Sequence, residues 1–470
     1  MSTMGGGNEL AYDLRERLAL LAAALASLVV ELDWLAVNVA LPEIAASLHR
    51  SPTDLQWLIS AFTLAFGGVM PAAGWVVDAF GRRRTTICAL LLFLVSSLVC
   101  ACAGSLPLLI AGRALQGAAG SFVVPGAIAM TAGGFTGRKR DVGLGAVMAT
   151  ASGGAALAPF VGGLLVDWFG WRSVFFLNVP VVVASIALTC RYVTPSGKPA
   201  TAAARRPPFL NGACAMGGAI ALAVGADRGS TWGWTSAATV LCGVGGVGLL
   251  AGFALLERDE SRAMFSPELR RDRRLHVLTL GGAGSVIGFV VLSTFTVLYL
   301  QDGRGLTAFV TGSLLLCFSL PNAVAAYAAG HLVGRRSVNA LVTGALAVAA
   351  IGLVTLTVVP FPGLYVLALT VCGVGFGLSG ALTSILTQQR ASPHDAGTVA
   401  SATLAFKYLG AAVAVSVAAT VLEALHHGVG GAAADSGNID TILRATAALP
   451  AVGVILTAPA ALARRHRRPT

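Results

Sequence analysis

Residues 18–41 read LALLAAALASLVVELDWLAVNVAL, a run of 24 positions in which only Glu31 and Asp33 are charged. A helix of that length rises about 36 Å, against a bilayer hydrocarbon core of ~30 Å. The run is too long for a cleavable signal and has no small-residue cleavage site, so it is expected to remain as a membrane helix. Two carboxylates near the middle of such a helix are costly and therefore stand out as functional candidates.

The rest of the chain has the same character. Of 470 residues, 56% are hydrophobic and 11% charged, where a soluble domain carries about 25% charged residues. Mean hydropathy is +0.79. A soluble fold cannot bury that much apolar surface, so lipid is the expected solvent. The net charge of +11 would point to nucleic acid in a soluble protein; here the placement of the charge matters more than its sum, and no nucleic-acid partner is expected. The eight cysteines lie in apolar runs, where cysteine acts as a small hydrophobe, and no metal site is expected.

At about 20 apolar residues per crossing, candidate spans run near 18–41, 55–77, 85–103, 106–129, 144–166, 173–192, 210–226, 237–256, 277–300, 308–332, 338–359, 364–386, 398–424 and 442–463, fourteen in all. Loop charge orients them. With the N-terminus inside, 25 of the 32 arginines and lysines fall in cytoplasmic segments and five outside, leaving Arg113 and Lys407 within the membrane. That asymmetry is the positive-inside pattern, and one missed helix would reverse every later loop and spoil it. The fold expected is an all-α integral membrane protein with both termini cytoplasmic. Its parts are a tail 1–17, a six-helix bundle 18–193, a linker 194–209 and two extra helices 210–256. A cytoplasmic loop 257–276, a second six-helix bundle 277–463 and a tail 464–470 follow.

Four strings carry more than topology. Between helices 2 and 3 stands Gly74-Trp-Val-Val-Asp78-Ala-Phe-Gly81-Arg82-Arg83-Arg84. Gly81 permits a tight turn, and Asp78 sits where a carboxylate can hold nearby arginines or accept from a helix N-terminus, latching the cytoplasmic ends of two bundles. Helix 1 holds Leu32-Asp33-Trp34-Leu-Ala-Val-Asn38-Val-Ala-Leu-Pro42, and helix 4 holds Arg113-Ala-Leu-Gln116-Gly117. Helix 5 holds Gly154-Ala-Ala-Leu-Ala158-Pro159-Phe-Val-Gly162-Gly163. Its Gly154, Ala158 and Gly162 make a small-residue face for close helix approach, and Pro159 allows a kink, so this seam is read as part of a gate.

The first string resembles the signature loop of the major facilitator superfamily. The other three, with Trp171-Arg172, Asn178-Val-Pro180 and Trp232-Gly-Trp234, resemble its fourteen-helix drug:proton antiporter branch. The chain departs from that pattern at Ala79, at Ala158, and in the second-half loop Gly330-His-Leu-Val-Gly334-Arg335-Arg336, which has no aspartate. The resemblance implies two six-helix bundles plus two extra central helices, rocking about a midplane site in a bacterial inner membrane. It also implies a proton-coupled multidrug or antibiotic exporter powered by the proton motive force, without a cofactor and working as a monomer. Export or import of an endogenous metabolite or lipid by the same fold is the alternative, and a non-transporting membrane sensor a third reading. No nucleophile–base pair or phosphate loop points to an enzyme.

Helix rise places Asp33 roughly 12 Å below the outer end of helix 1 and Arg113 roughly 11 Å below the outer start of helix 4, at matching depth. An Asp33–Arg113 pair is therefore expected to line the central cavity and exchange a proton, with a static ion pair as the alternative. Glu31 lies about 200° around helix 1 from Asp33; it is read as a second proton site, a contact for a cationic substrate, or an interhelical bond. Further substrate contacts are expected at Trp34, Asn38, Gln116, Phe295, Tyr299, Asn322 and Lys407, the last alternatively pairing with a carbonyl. Together these suit a small amphipathic substrate.

Overall fold

The computed structural model describes residues 12–50, 52–195, 209–259, 263, 270–300, 304–306, 308–333, 338–356, 363–392, 395–408, 410–411 and 414. They form helices α1 (Leu14–Leu48), α2 (Pro52–Phe80), α3 (Arg82–Ala101), α4 (Leu106–Gly134), α5 (Gly137–Phe169) and α6 (Arg172–Tyr192). Then come α7 (Phe209–Trp232), α8 (Ala237–Leu256), α9 (Arg273–Leu298), α10 (Ala308–Leu332), α11 (Val338–Leu356) and α12 (Gly363–Arg390). A further stretch, α13, is helical over 396–408. Among the described residues ten helices are long and apolar enough to cross a membrane. The expected fourteenth span, 442–463, the end of the thirteenth, most of the linker 194–209 and the tail 464–470 lie outside the described residues.

Helix α1 begins at a reciprocal cap. The Asp13 carboxylate accepts from Glu16 N at 2.6 Å, and the Glu16 carboxylate accepts from Asp13 N at 2.9 Å, satisfying two donors that a helix start leaves open. The helix then outruns the apolar stretch 18–41 at both ends and passes through Pro42. Away from water a backbone group has no partner except the helix itself, so the helix persists through one missing donor. Gly81 (φ +93°) and Gly170 (φ +79°) turn the chain between α2 and α3 and between α5 and α6, at backbone angles that side chains disfavour.

α1 packs on α4, α5 and α6; α2 and α3 both pack on α4. α9, α10 and α11 pack on α12. α7 and α8 pair with each other, and α7 lies on α2, with the Arg228 guanidinium 3.7 Å from the centre of the Trp57 ring. Leu241, Val244 and Val247 of α8 are exposed, as expected of a lipid-facing helix. The first bundle meets the second mainly along α5 and α10, and again where α2 meets the start of α13. One buried apolar cluster, including Val77, Leu144, Ala329 and Ala400, runs across this junction.

Candidate functional site

Asp33 is fully buried and faces into the first bundle. Arg113 Nη1 donates to its Oδ2 at 2.5 Å. Asn178 Nδ2 and Gln116 Nε2 donate to Oδ1 at 2.6 and 3.2 Å. Ser97 Oγ in turn accepts from Asn178 and Gln116 and donates to the Phe175 carbonyl. The carboxylate is therefore held by α4 and α6 and braced from α3. Removing two charges from water costs several kcal/mol, and only such a set of matched donors offsets it. The expected pairing is present, but its surroundings are not those expected. Neither group opens onto a cavity: Asp33 is 0% and Arg113 1% exposed. Asp33 lies on the side of α1 turned toward its own bundle, because its donors come from α3, α4 and α6.

Gln116 belongs to the same network, being three residues from Arg113 and so on the same face of α4. It also accepts from Arg113 Nη1 at 3.0 Å. Expected as a substrate contact, it is fully buried and braces the ion pair instead.

Glu31 faces the other way. It accepts a hydrogen bond from the Tyr408 hydroxyl of α13 at 2.8 Å, a bond between the two bundles. Trp34, one turn further on, has its ring 5.6 Å from Tyr408, 6.3 Å from Phe66 and 6.5 Å from Phe62. Phe66 lies 5.2 Å from Tyr408. Arg113 stands 4.3 Å from the centre of the Phe62 ring, so this aromatic group touches the Asp33 site as well. Glu31 is the central residue of α1, with 17 residues on either side, and Phe66 is central in α2. The cluster thus sits at mid-depth, midway along both helices.

At the arginine-rich ends of the helices the bundles are closed on each other. The Asp78 carboxylate accepts from Gly397 N (2.9 Å), Thr398 N (2.7 Å) and Thr398 Oγ1 (2.9 Å). It caps α13, where backbone donors and the helix dipole both favour a negative group. Gly74 is essential beneath this cap, since a Cβ there would meet the Gly397 carbonyl at 2.3 Å. On the opposite side α5 crosses α10 through a second glycine pair, Gly145 and Gly330. A Cβ on Gly330 would come within 2.6 Å of the Asp141 carbonyl. Gln389 also donates across the junction to Asp141 at 2.9 Å. Arg82 and Arg83 bind within their own bundle, to the carbonyls of Ala129 (3.1 Å) and Cys190 (2.5 Å).

Other expected residues lie elsewhere. The face of Gly154, Ala158 and Gly162 is buried against Leu28 and Ala36 of α1. It is a seam inside the first bundle rather than between bundles, and Pro159 points away from it, exposed. Gly163 approaches only Val39. Phe295 is buried in the apolar core of the second bundle, closed to a ligand in this conformation. Tyr299 stacks near Tyr365 and accepts from Arg304. The Asn322 backbone lies against Gly373 and Gly377, and Asn38 is exposed. Lys407 is buried, donates to Ser384 Oγ at 2.8 Å and lies beside Gly282; its partner is a hydroxyl, not the carbonyl considered above. Tyr408, Phe62, Phe66, Ser97, Gly145 and Thr398 escaped the sequence reading, since nothing marks such residues within apolar runs.

Comparison with known proteins supplies the remaining finding. The family model described as Major Facilitator Superfamily matches residues 23–415. "Multidrug resistance protein Stp" of Mycobacterium tuberculosis is 32% identical over 87% of this chain and 76% of its own length. "Puromycin resistance protein pur8" of Streptomyces alboniger is 32% identical over 92% of this chain and 87% of its own. Among solved structures, the human organic anion transporter MFSD10 superposes with a TM-score of 0.71 at 16% identity, covering 95% of this chain and all of that one.

Proposed function

The chain belongs to the Major Facilitator Superfamily, and from that premise we propose that it exports small amphipathic compounds from a bacterial cell in exchange for protons. Similarity to proteins named for multidrug and puromycin resistance supports the direction and the class of cargo. The arginine-rich face is then cytoplasmic, with fourteen helices and both termini inside. On that orientation, the closed latch at Asp78 belongs to an outward-facing or occluded state.

One observation carries the coupling: a carboxylate and a guanidinium, both buried, held at 2.5 Å between helices of one bundle. Movement of α1 relative to α4 would lengthen that contact. A carboxylate deprived of its cation in a dry surrounding takes up a proton instead, and restoring the contact releases it. Conformation and proton occupancy are thereby linked. A membrane potential of about 150 mV is worth roughly 3.5 kcal/mol per charge, which sustains a gradient of about 300-fold for one proton per neutral molecule.

The test is transport into or out of proteoliposomes under an imposed pH gradient, across a panel of lipophilic cations, neutral compounds and acids. Asp33→Asn abolishes gradient-driven flux while the protein stays folded in the membrane; full flux by that variant removes Asp33 from the mechanism. Arg113→Ala impairs flux comparably, and an unchanged pH dependence there dissolves the pairing. Movement of endogenous metabolites or lipids alone, from the same panel, would favour the metabolite reading.

A further inference from the structure

We propose that Glu31, with the rings of Trp34, Phe66 and Tyr408, is a recognition site for a singly charged organic cation, and that the Tyr408 hydroxyl is the internal group this ligand displaces. The inference rests on the export reading and names its cargo.

The two acids of α1 are satisfied in different ways. Asp33 takes a guanidinium and two amides. Glu31 takes a neutral phenol, and among the described residues it forms no ion pair. It is nevertheless buried, at 8% exposure, and a lone carboxylate removed from water is a binding site for positive charge. The groups beside it are aromatic. Ring faces attract cations, most strongly when water is excluded, and rings around an anion are the usual cage for quaternary and protonated amines. An anionic ligand would be repelled here, and a dication would find no second free acid, since Arg113 already neutralises Asp33.

The wall of this site is shared between the bundles. Trp34, Phe66 and Glu31 move with the first bundle, and Tyr408 with the second. Separating the bundles breaks the Glu31–Tyr408 bond and parts Tyr408 from Trp34 and Phe66 in one step, exposing carboxylate and ring faces together. Ligand and closure then compete for one carboxylate. A cation seated on Glu31 keeps Tyr408 away, and its departure lets the phenol return.

Tetraphenylphosphonium and tetraphenylborate have the same shape and opposite charge, and serve as the probe pair in equilibrium binding to nanodiscs, with protein-free nanodiscs subtracted. Wild type binds the phosphonium and not the borate. Glu31→Gln binds the phosphonium about thirtyfold more weakly or worse, as when one partner of a buried charge pair is removed. Glu31→Asp recovers part of the loss, and Tyr408→Phe, lacking the competing hydroxyl, binds roughly three- to tenfold more tightly. Equal phosphonium affinity in Glu31→Gln and wild type overturns the proposal, as does equal binding of the borate. Flux of neutral or acidic compounds by a wild type that binds no phosphonium sinks the cation site alone. Glu31-dependent phosphonium binding without flux of any compound sinks the export reading alone.

Discussion

Replacing Asp78 by asparagine keeps the size of the side chain and removes the charge that caps α13. Asparagine offers one oxygen where the carboxylate offers two, and it turns an amide donor toward one of the donors at Gly397 and Thr398. Hydrogen bonds to a charged group contribute about 1.5–3 kcal/mol each, and a charge at a helix start up to about 2 kcal/mol in a partly buried setting. In the open state water serves both partners, so part of this is recovered. We expect the closed form to lose about 2–4 kcal/mol, or roughly 30- to 1,000-fold in the ratio of closed to open. A ratio of about 100 would fall to between about 3 and 0.1. Nitroxides at Thr136 and Arg274 report the change as distance distributions in nanodiscs, in a background with the eight cysteines replaced. Asp78→Asn should add a longer component. Thr398→Val, which removes one acceptor–donor contact and leaves the two backbone bonds, should add a smaller one, and the two changes together should be non-additive. Distributions for Asp78→Asn that superimpose on wild type would refute the reasoning, because the cap would then contribute nothing to closure.

Three further outcomes follow from named contacts. Gly330→Leu should hold the bundles apart at the crossing of α5 and α10, since its Cβ would lie 2.6 Å from the Asp141 carbonyl and 2.8 Å from Val142 Cα, backbone atoms that cannot swing aside; the same nitroxide pair reads it, with wild-type distances counting against the crossing. Asn178→Ala removes donors to both Asp33 and Ser97 and should lower unfolding stability in detergent by about 1–3 kcal/mol; an unchanged denaturant midpoint would show that the network reorganises freely. Burial, reinforced by the Glu16 carboxylate, pushes the Tyr12 phenol up to about 12 from 10.0, while its hydroxyl donates to the Lys139 carbonyl at 2.6 Å. A proton held more tightly in the folded state stabilises fully below about pH 10 and ceases to as the pH rises through about 12, so wild type should lose stability across that window while Tyr12→Phe does not.

What could be read in advance depended on distance along the chain. The membrane helices were visible as apolar runs, and the depth of Asp33 and Arg113 followed from counting residues, because helical rise is fixed. The Asp78 cap was visible as one of two options, arginines or a helix start, and only folding chose α13, some 320 positions away. The direction of a helix face was harder. Gly154, Ala158 and Gly162 announce a close approach without saying to what, and the answer is α1 of the same bundle. Gln116 shares a face with Arg113, which could have placed it in the ion-pair network, but polarity alone made it look like a ligand contact. Tyr408 was invisible, being one aromatic residue in an apolar stretch, 377 positions from its partner Glu31. The pairing of Gly145 with Gly330 had to be found among 57 glycines.

Of the ionisable groups well inside the expected spans, Asp33 and Arg113 offset one another within the first bundle. That leaves, among the described residues, Glu31 on the first bundle and Lys407 on the second, each bonded to a hydroxyl, of Tyr408 and of Ser384. Opposite charges insulated by protein and lipid rather than by water attract one another more strongly than they would in solvent. On the proposed cation site, a positive cargo on Glu31 would cancel its share of that attraction across the waist. On the export reading, such an arrangement would tie the freedom of the bundles to move to the presence of something to carry.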